Sequence, residues 1–456
     1  MENRKKIINT SLLPPCTILI LFILTSFIYK DLDIRLIYGY GAMALFIGVF
    51  CAYKKANNID VIENFTVFEN LYLILPGIVL FNVCRIDATK DYEVFAYVMA
   101  MMVATSFVVF TNLESEEYKG IFKYILFFAW CLVAFELLNY ISPGFQEFYL
   151  SHISEVSRAY NNHMLSKGYF VSIGSSLTFV DYIMFMGVSV YVIKYVTTKD
   201  TMHLIKTIPM FFIMVLIGRR GELLAAVLAV LIFKILKDDS ETRKKHFKIG
   251  LKIIILGILA VELLMPILKQ SNVLYRYILT LERMKSGQDI TSGRIELWTM
   301  ALNAFKEKPI FGIGWRNFMF CIPDAFRAQH GAAVYGERGI YNAHNIYVHI
   351  LCETGLIGAI IIIGTLIAIL IVTMKLFIKI YSEKTFTGEK NNKALNLISF
   401  SVFMQSYFLL LGVLDPVFYN RIFWLIYALA IKFAAEAKKL NDKVQEETSE
   451  LIMDEI

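Results

Sequence analysis

The sequence predicts an all-α polytopic membrane protein with about twelve transmembrane helices, and three observations carry that prediction. The chain has 456 residues, 57% of them hydrophobic and 18% charged. Its mean hydropathy of +0.57 is too apolar for a soluble chain of this length. Apolar stretches alternate with short polar loops along the whole sequence, and basic residues gather in alternate loops, as positive-inside topology requires.

Taken in order, the candidate spans fall at 14–29, 34–52, 67–84, 92–111, 121–141, 177–196, 203–217, 221–236, 249–268, 346–374, 395–414 and 418–435. Each is expected to cross roughly 30 Å of hydrocarbon with some tilt. Arg4, Lys5 and Lys6 place the start on the cytoplasmic side, and the cluster Lys234, Lys237, Arg243, Lys244, Lys245, Lys248 and Lys252 marks an inner loop. Both termini are therefore expected inside. The first apolar run lacks a small-residue cleavage site and leads into further spans, so it reads as a signal anchor. The net charge of +6 is mostly topogenic and gives little support to a nucleic-acid partner. Cys16, Cys51, Cys84, Cys131 and Cys352 lie within or at the ends of spans, and only Cys321 lies well inside an outer loop. No disulfide framework or zinc set can be assembled from them.

The organisation is one integral membrane domain, 1–435, without an obvious internal repeat, followed by a polar tail, 436–456, expected to be a frayed cytoplasmic helix. Two outer segments interrupt the spans. The first, 142–176, carries His152 and His163 and is expected to be part loop and part interfacial structure. The second, 269–345, is the longest polar stretch. Within it Ser292 is the expected N-cap of a helix whose face is Ile295, Trp298, Leu302 and Phe305. Lys306 and Lys308 suit its C-terminal end, Pro309 stops it, and Gly312 and Gly314 turn the chain. The string GIGWRN lacks the third glycine of a dinucleotide fingerprint and follows no strand.

Several residue types in these segments can do chemistry. Arg294 opens the outer-loop helix, where a cation meets the positive end of the helix dipole; a bound anion would reverse the sign. Arg219 and Arg220 repeat this at the span beginning at Gly221, so a phosphate clamp is one reading. Snorkelling or pairing with an acid such as Glu222 is the other. Glu136, Asp181, Glu222 and Glu262 lie in or at the outer ends of spans and need partners or water. His344 at a helix start is a cap or a titrating base. Metal binding is not expected: His344 and His349 are five apart, not the three or four that stack on one helical face, and the Asp31, Asp33 pair is of a kind that short polar loops produce by chance.

At this point a family resemblance appears. The stretches SGRIELWTMALNAFKEKPIFGIGWRNF and NAHNIYVHILCETGLIG resemble the core of the O-antigen ligase and polysaccharide polymerase superfamily, and GRRGELLA resembles its upstream arginine motif. The likeness covers roughly 210–370. It implies an inverting, GT-C-like, membrane-embedded glycosyltransferase that moves glycans from undecaprenyl-diphosphate carriers at the outer face of a bacterial inner or plasma membrane. By resemblance Arg220, which precedes Gly221, is the first family arginine, Arg294 the second and His344 the essential histidine. Arg219 stands where the family has a small hydroxyl residue. Neither cofactor nor metal is implied, because the donor carries its own leaving group. His344 is then the base, Arg294 and one of the adjacent pair hold the diphosphate, with Arg220 the better fit and Arg219 the alternative, Asn345 fixes the ring or binds sugar, and Trp298 is a substrate contact. Trp298, Trp315, Tyr335 and Tyr341 are possible stacking surfaces, although for each aromatic core packing of the loop is the favoured reading. The implied partners are the lipid-linked oligosaccharide donor, a glycan acceptor, the bilayer and a polysaccharide chain-length regulator. The motifs leave polymerase and ligase open, with polymerase favoured because nothing marks a lipid A partner. A flippase would share the span count, but the catalytic-looking outer loop and the lack of a half-to-half repeat stand against it.

Overall fold

The computed structural model describes residues 65–83, 92–110, 115–166, 171, 173, 177–237, 282, 286, 293–326, 342–382, 389–415 and 417–454. Among them the structure is helical, with no strand. The spans expected at 14–29, 34–52 and 249–268, Arg4 to Lys6, Asp31, Asp33, Glu262, Tyr335 and Tyr341 lie outside the described residues.

The helices are α1 (Val67–Val83), α2 (Tyr92–Phe110), α3 (Ser115–Ile141), α4 (Pro143–His152), α5 (Glu155–Ser166), α6 (Leu177–Thr198), α7 (Met202–Ile205), α8 (Ile208–Ile217), α9 (Arg220–Lys237), α10 (Arg294–Glu307), α11 (Ile346–Ser382), α12 (Glu389–Leu411) and α13 (Arg421–Asp454). Four stretches, Gly120–Ile141, Leu177–Thr198, Ile346–Ser382 and Asn392–Leu411, are long and apolar enough to cross a membrane.

Local signals start these helices. Thr66 accepts from Phe68 N at 3.2 Å, while Glu69 accepts from Thr66 N at 2.8 Å, a reciprocal capping box ahead of α1. Ser142 caps α4 by accepting from Phe145 N at 3.2 Å, with Pro143 in the first turn. Asn420 accepts from Ile422 N at 2.9 Å at the start of α13. The expected irregular segment 142–176 thus begins as two capped helices, α4 and α5.

The centre of the molecule is α12. It packs along α13 and against α6, α9 and α11, and its aromatic side chains interleave with theirs. Phe403 stacks on Phe233 at 4.2 Å and Tyr407 on Phe185 at 4.3 Å. Trp424 is buried and donates its indole N–H to Phe418 O at 2.7 Å. Helix α13 runs unbroken past 435 into the polar tail. Ala437 and Asn441 are buried there, and Lys439 approaches Glu69 at 4.0 Å.

Three expectations need correction. The single span at 203–217 is two pieces, α7 and α8, separated by Lys206 and Thr207, because Pro209 in the first turn of α8 cannot donate into a continuous helix. On α10 the buried face is Leu297, Ala301 and Ala304, while Ile295 and Leu302 are exposed. The two alanines let α10 lie closely against α11, which the larger side chains would prevent. The N-cap position of α10 is Gly293, left-handed at φ 81°; Ser292 lies outside the described residues.

Candidate functional site

The site gathers where α8 passes into α9, where α10 and α11 begin and where α12 ends. Gly218, left-handed at φ 74°, terminates α8 with its N–H on Val215 O at 3.1 Å. The turn delivers Arg219 to three partners. Its Nη2 meets Glu222 Oε1 at 2.5 Å and Asp415 Oδ2 at 2.6 Å, and its Nη1 donates to Thr178 Oγ1. Glu222 had been expected as an arginine partner and is one. Burial alone would lower the Arg219 pKa, but Glu222, Asp415 and Asp181 together outweigh it and hold the guanidinium above its ordinary value. Arg220, half-buried, is the first residue of α9.

Asp415 was not anticipated. It sits in the turn after α12, with its N–H on Leu411 O at 2.9 Å. That turn is tied to the start of α11 by Ile346 N donating to Gly412 O at 2.7 Å and by the Tyr347 hydroxyl donating to Leu409 O at 2.6 Å. His344 is thereby brought beside the arginines.

His344 adopts φ 47°, a left-handed backbone that is costly for a residue with a Cβ. Its neighbours impose it. Asn342 Oδ1 accepts from His344 N at 2.9 Å, and Asn345 Oδ1 caps α11 by accepting from Tyr347 N at 2.9 Å and Val348 N at 3.1 Å. Asn345 is therefore the N-cap of the helix that begins behind the histidine. Burial chiefly lowers the His344 pKa, to about 4; Asp415 opposes this, and Arg294, Arg219 and His349 add to it. The imidazole is neutral at physiological pH, with a lone pair available. Burial also lowers the Arg294 pKa, against the support of Asp415 and Glu222 and with the opposition of Arg219. Arg219, Arg294, His344 and Asp415 thus lie within electrostatic reach of one another.

The glycine spacing downstream of His344 has a structural cause. Helix α11 breaks at Gly355, where φ is 68° and ψ is −172°, a region open essentially to glycine alone. The two helical hydrogen bonds lost at the break are made instead with the segment after α10. Ile313 N donates to Cys352 O at 3.0 Å and Gly314 N to Glu353 O at 2.9 Å, while Leu356 N donates to Pro309 O at 2.8 Å and Ile357 N to Ile310 O at 3.3 Å. A Cβ on Gly355 or Gly312 would collide with the facing backbone, and one on Gly358 would strike the Thr354 side chain.

Trp298 is partly buried and packs against the small apolar cluster that includes Leu297, Ala301 and Phe318, and its indole N–H has no hydrogen-bond partner among the described residues. Trp315 is core, buried and 5.7 Å from Phe418, and not a stacking surface. Among the described residues no group of three His, Cys, Asp or Glu side chains is placed to hold a metal ion.

Residues 206–363 match a family described as O-antigen ligase. The match contains Arg219, Arg220, Arg294, Trp298, His344, Asn345 and both glycines of the α11 motif, so the resemblance drawn from those motifs is borne out. Asp415 lies beyond the matched O-antigen ligase segment, which is why no motif pointed to it. No curated protein matches the chain.

Proposed function

We propose that the chain is a membrane-embedded inverting glycosyltransferase that polymerises undecaprenyl-diphosphate-linked oligosaccharide repeats into a surface polysaccharide. The observation that carries this reading is the shared neighbourhood of His344, Arg294 and the α8–α9 arginine turn. A glycosyl diphosphate brings its own leaving group, so its departure needs stabilised negative charge rather than a nucleotide. Arg220 and Arg294, each at a helix N-terminus, meet the diphosphate. Arg219, already engaged by Glu222 and Asp415, braces that turn and borders the donor. Neutral His344 takes the proton from the acceptor hydroxyl as the oxygen attacks the anomeric carbon. The carbon–oxygen bond to the diphosphate breaks on the opposite face, and the released diphosphate carries away the electron pair. Guanidinium groups supply the charge in this scheme, without a metal. The Trp298 N–H is a ready donor to a sugar hydroxyl.

The description of the matched family as O-antigen ligase favours a second reading, transfer of finished glycan to lipid A core or another terminal acceptor. Purified protein given a defined diphosphate-linked donor tests the enzyme class. Elongation is expected for wild type, no transfer with retained donor binding for His344→Ala, and weakened donor binding for Arg294→Ala. Normal glycan from His344→Ala refutes the mechanism, and translocation without new bonds indicates a transporter. Glycan profiling after deletion separates the acceptors: loss of long chains indicates a polymerase, and long chains stranded on their carrier indicate a ligase.

A further inference from the structure

One turn below His344, α11 carries a buried pair that the reaction scheme leaves unused. His349 is 2% exposed and Glu353 is not exposed at all. Ala343 N–H donates to His349 Nδ1 at 3.2 Å, so Nδ1 is the unprotonated nitrogen and the ring hydrogen sits on Nε2. Nε2 faces Glu353 Oε1 at 3.1 Å, and the same oxygen accepts from Phe318 N at 3.2 Å. The Phe318 ring closes over the imidazole edge-on, at 5.3 Å and 82°. A line of polar contacts therefore runs from the Ala343 N–H, through its hydrogen bond to the imidazole and the close Nε2–Oε1 approach to the carboxylate, to the short 3₁₀ turn Asn317–Cys321.

We propose that His349 and Glu353 are a positioning unit that aims His344 and locks it to the segment following α10. The inference rests on reading His344 as the base. His344 occupies a backbone conformation it would not choose unaided. Its own N–H is held by Asn342 and the residue after it caps α11, but the direction in which it enters is set by the Ala343 peptide, which His349 holds. Both side chains are shielded from water, so no solvent molecule replaces a lost partner and the Ala343 peptide is free to rotate when one is removed. Displacement of a catalytic group by about 1 Å costs on the order of a hundredfold in rate.

Side-chain length separates this role from simple space filling. Asparagine can place its amide oxygen near the position of Nδ1, whereas glutamine places its amide near Nε2 and leucine offers neither. In full-length protein reconstituted with a diphosphate-linked donor, His349→Gln and His349→Leu are expected to lower kcat by roughly tenfold or more with donor KM little changed. His349→Asn, which restores an acceptor for Ala343, recovers a substantial part of the loss. Glu353→Gln, which keeps the acceptor for Phe318 and Nε2–H, retains several-fold more activity than Glu353→Ala. Wild-type kcat in His349→Leu overturns the proposal, as does an equal loss in all three His349 variants with donor KM rising in step. Should the His349 variants fail to fold, the Glu353→Gln and Glu353→Ala comparison decides alone, equal activities counting against it. A His344→Ala control separates the two levels. Activity in that control removes the base itself, whereas a silent control beside a fully active His349→Leu removes only the positioning unit.

Discussion

At the scale of single residues, His344 joins a backbone under strain to an imidazole whose charged form is disfavoured. Its folded pKa near 4 lies below the ordinary value of about 6.5, so between those values the unfolded chain binds the proton and the folded chain does not. The histidine's contribution to stability is therefore complete above about pH 6.5 and declines as pH falls toward 4. For the proposed base the neutral form is the active one, so kcat/KM should be level across neutral pH and fall only near pH 4. A bound diphosphate adds negative charge beside the ring and favours the imidazolium, so the acid limb of kcat should lie higher than that of kcat/KM. A kcat/KM profile that already falls between pH 7 and 6 contradicts this account. Arg294, His344 and the Arg219–Arg220 pair were legible in sequence because each sits at a helix start, where a titratable or cationic group is conspicuous. Asp415 was not, because its place depends on Ile346 meeting Gly412 across more than sixty residues of chain.

At the scale of elements, the break in α11 gives the downstream glycines their meaning. Gly355→Ala should destabilise by about 1–3 kcal/mol from backbone strain alone, and by more because the new Cβ collides with the Ile310 and Gly312 backbone. The expected outcome is a Tm several degrees lower in detergent and loss of transfer even though His344 is intact. A Gly355→Ala variant with unchanged Tm would show that α11 accommodates a regular turn there. Apolar periodicity located several helices to within a few residues: Leu177–Thr198 was expected at 177–196, and Val67–Val83 at 67–84. Periodicity failed where packing overrides hydrophobicity. On α10 the small side chains of Ala301 and Ala304 face inward and Ile295 faces outward, because close approach to α11 needs small residues more than greasy ones. The Gly355 break was seen only as a spacing, since a carbonyl rescued by a distant loop leaves no mark in the local sequence.

At the scale of the whole molecule, four of the expected spans coincide with helices long and apolar enough to cross a membrane, because the bilayer imposes a length on each such segment. Which helix lies at the centre was not readable, because α12 looks like any other apolar stretch until Phe403 and Tyr407 meet the rings of α9 and α6. The four backbone bonds between residues 309–314 and the broken turn of α11 carry a further implication. They solder the rod that begins with Arg294 to the rod that begins just after His344. The gap between cation and imidazole is therefore fixed before any substrate arrives, like a gauge of constant width. Spin labels at Asn303 and Ile360, on a cysteine-free background, should report one separation with and without a diphosphate-linked donor; a shift of several ångströms on loading would mean that the solder melts when the donor binds.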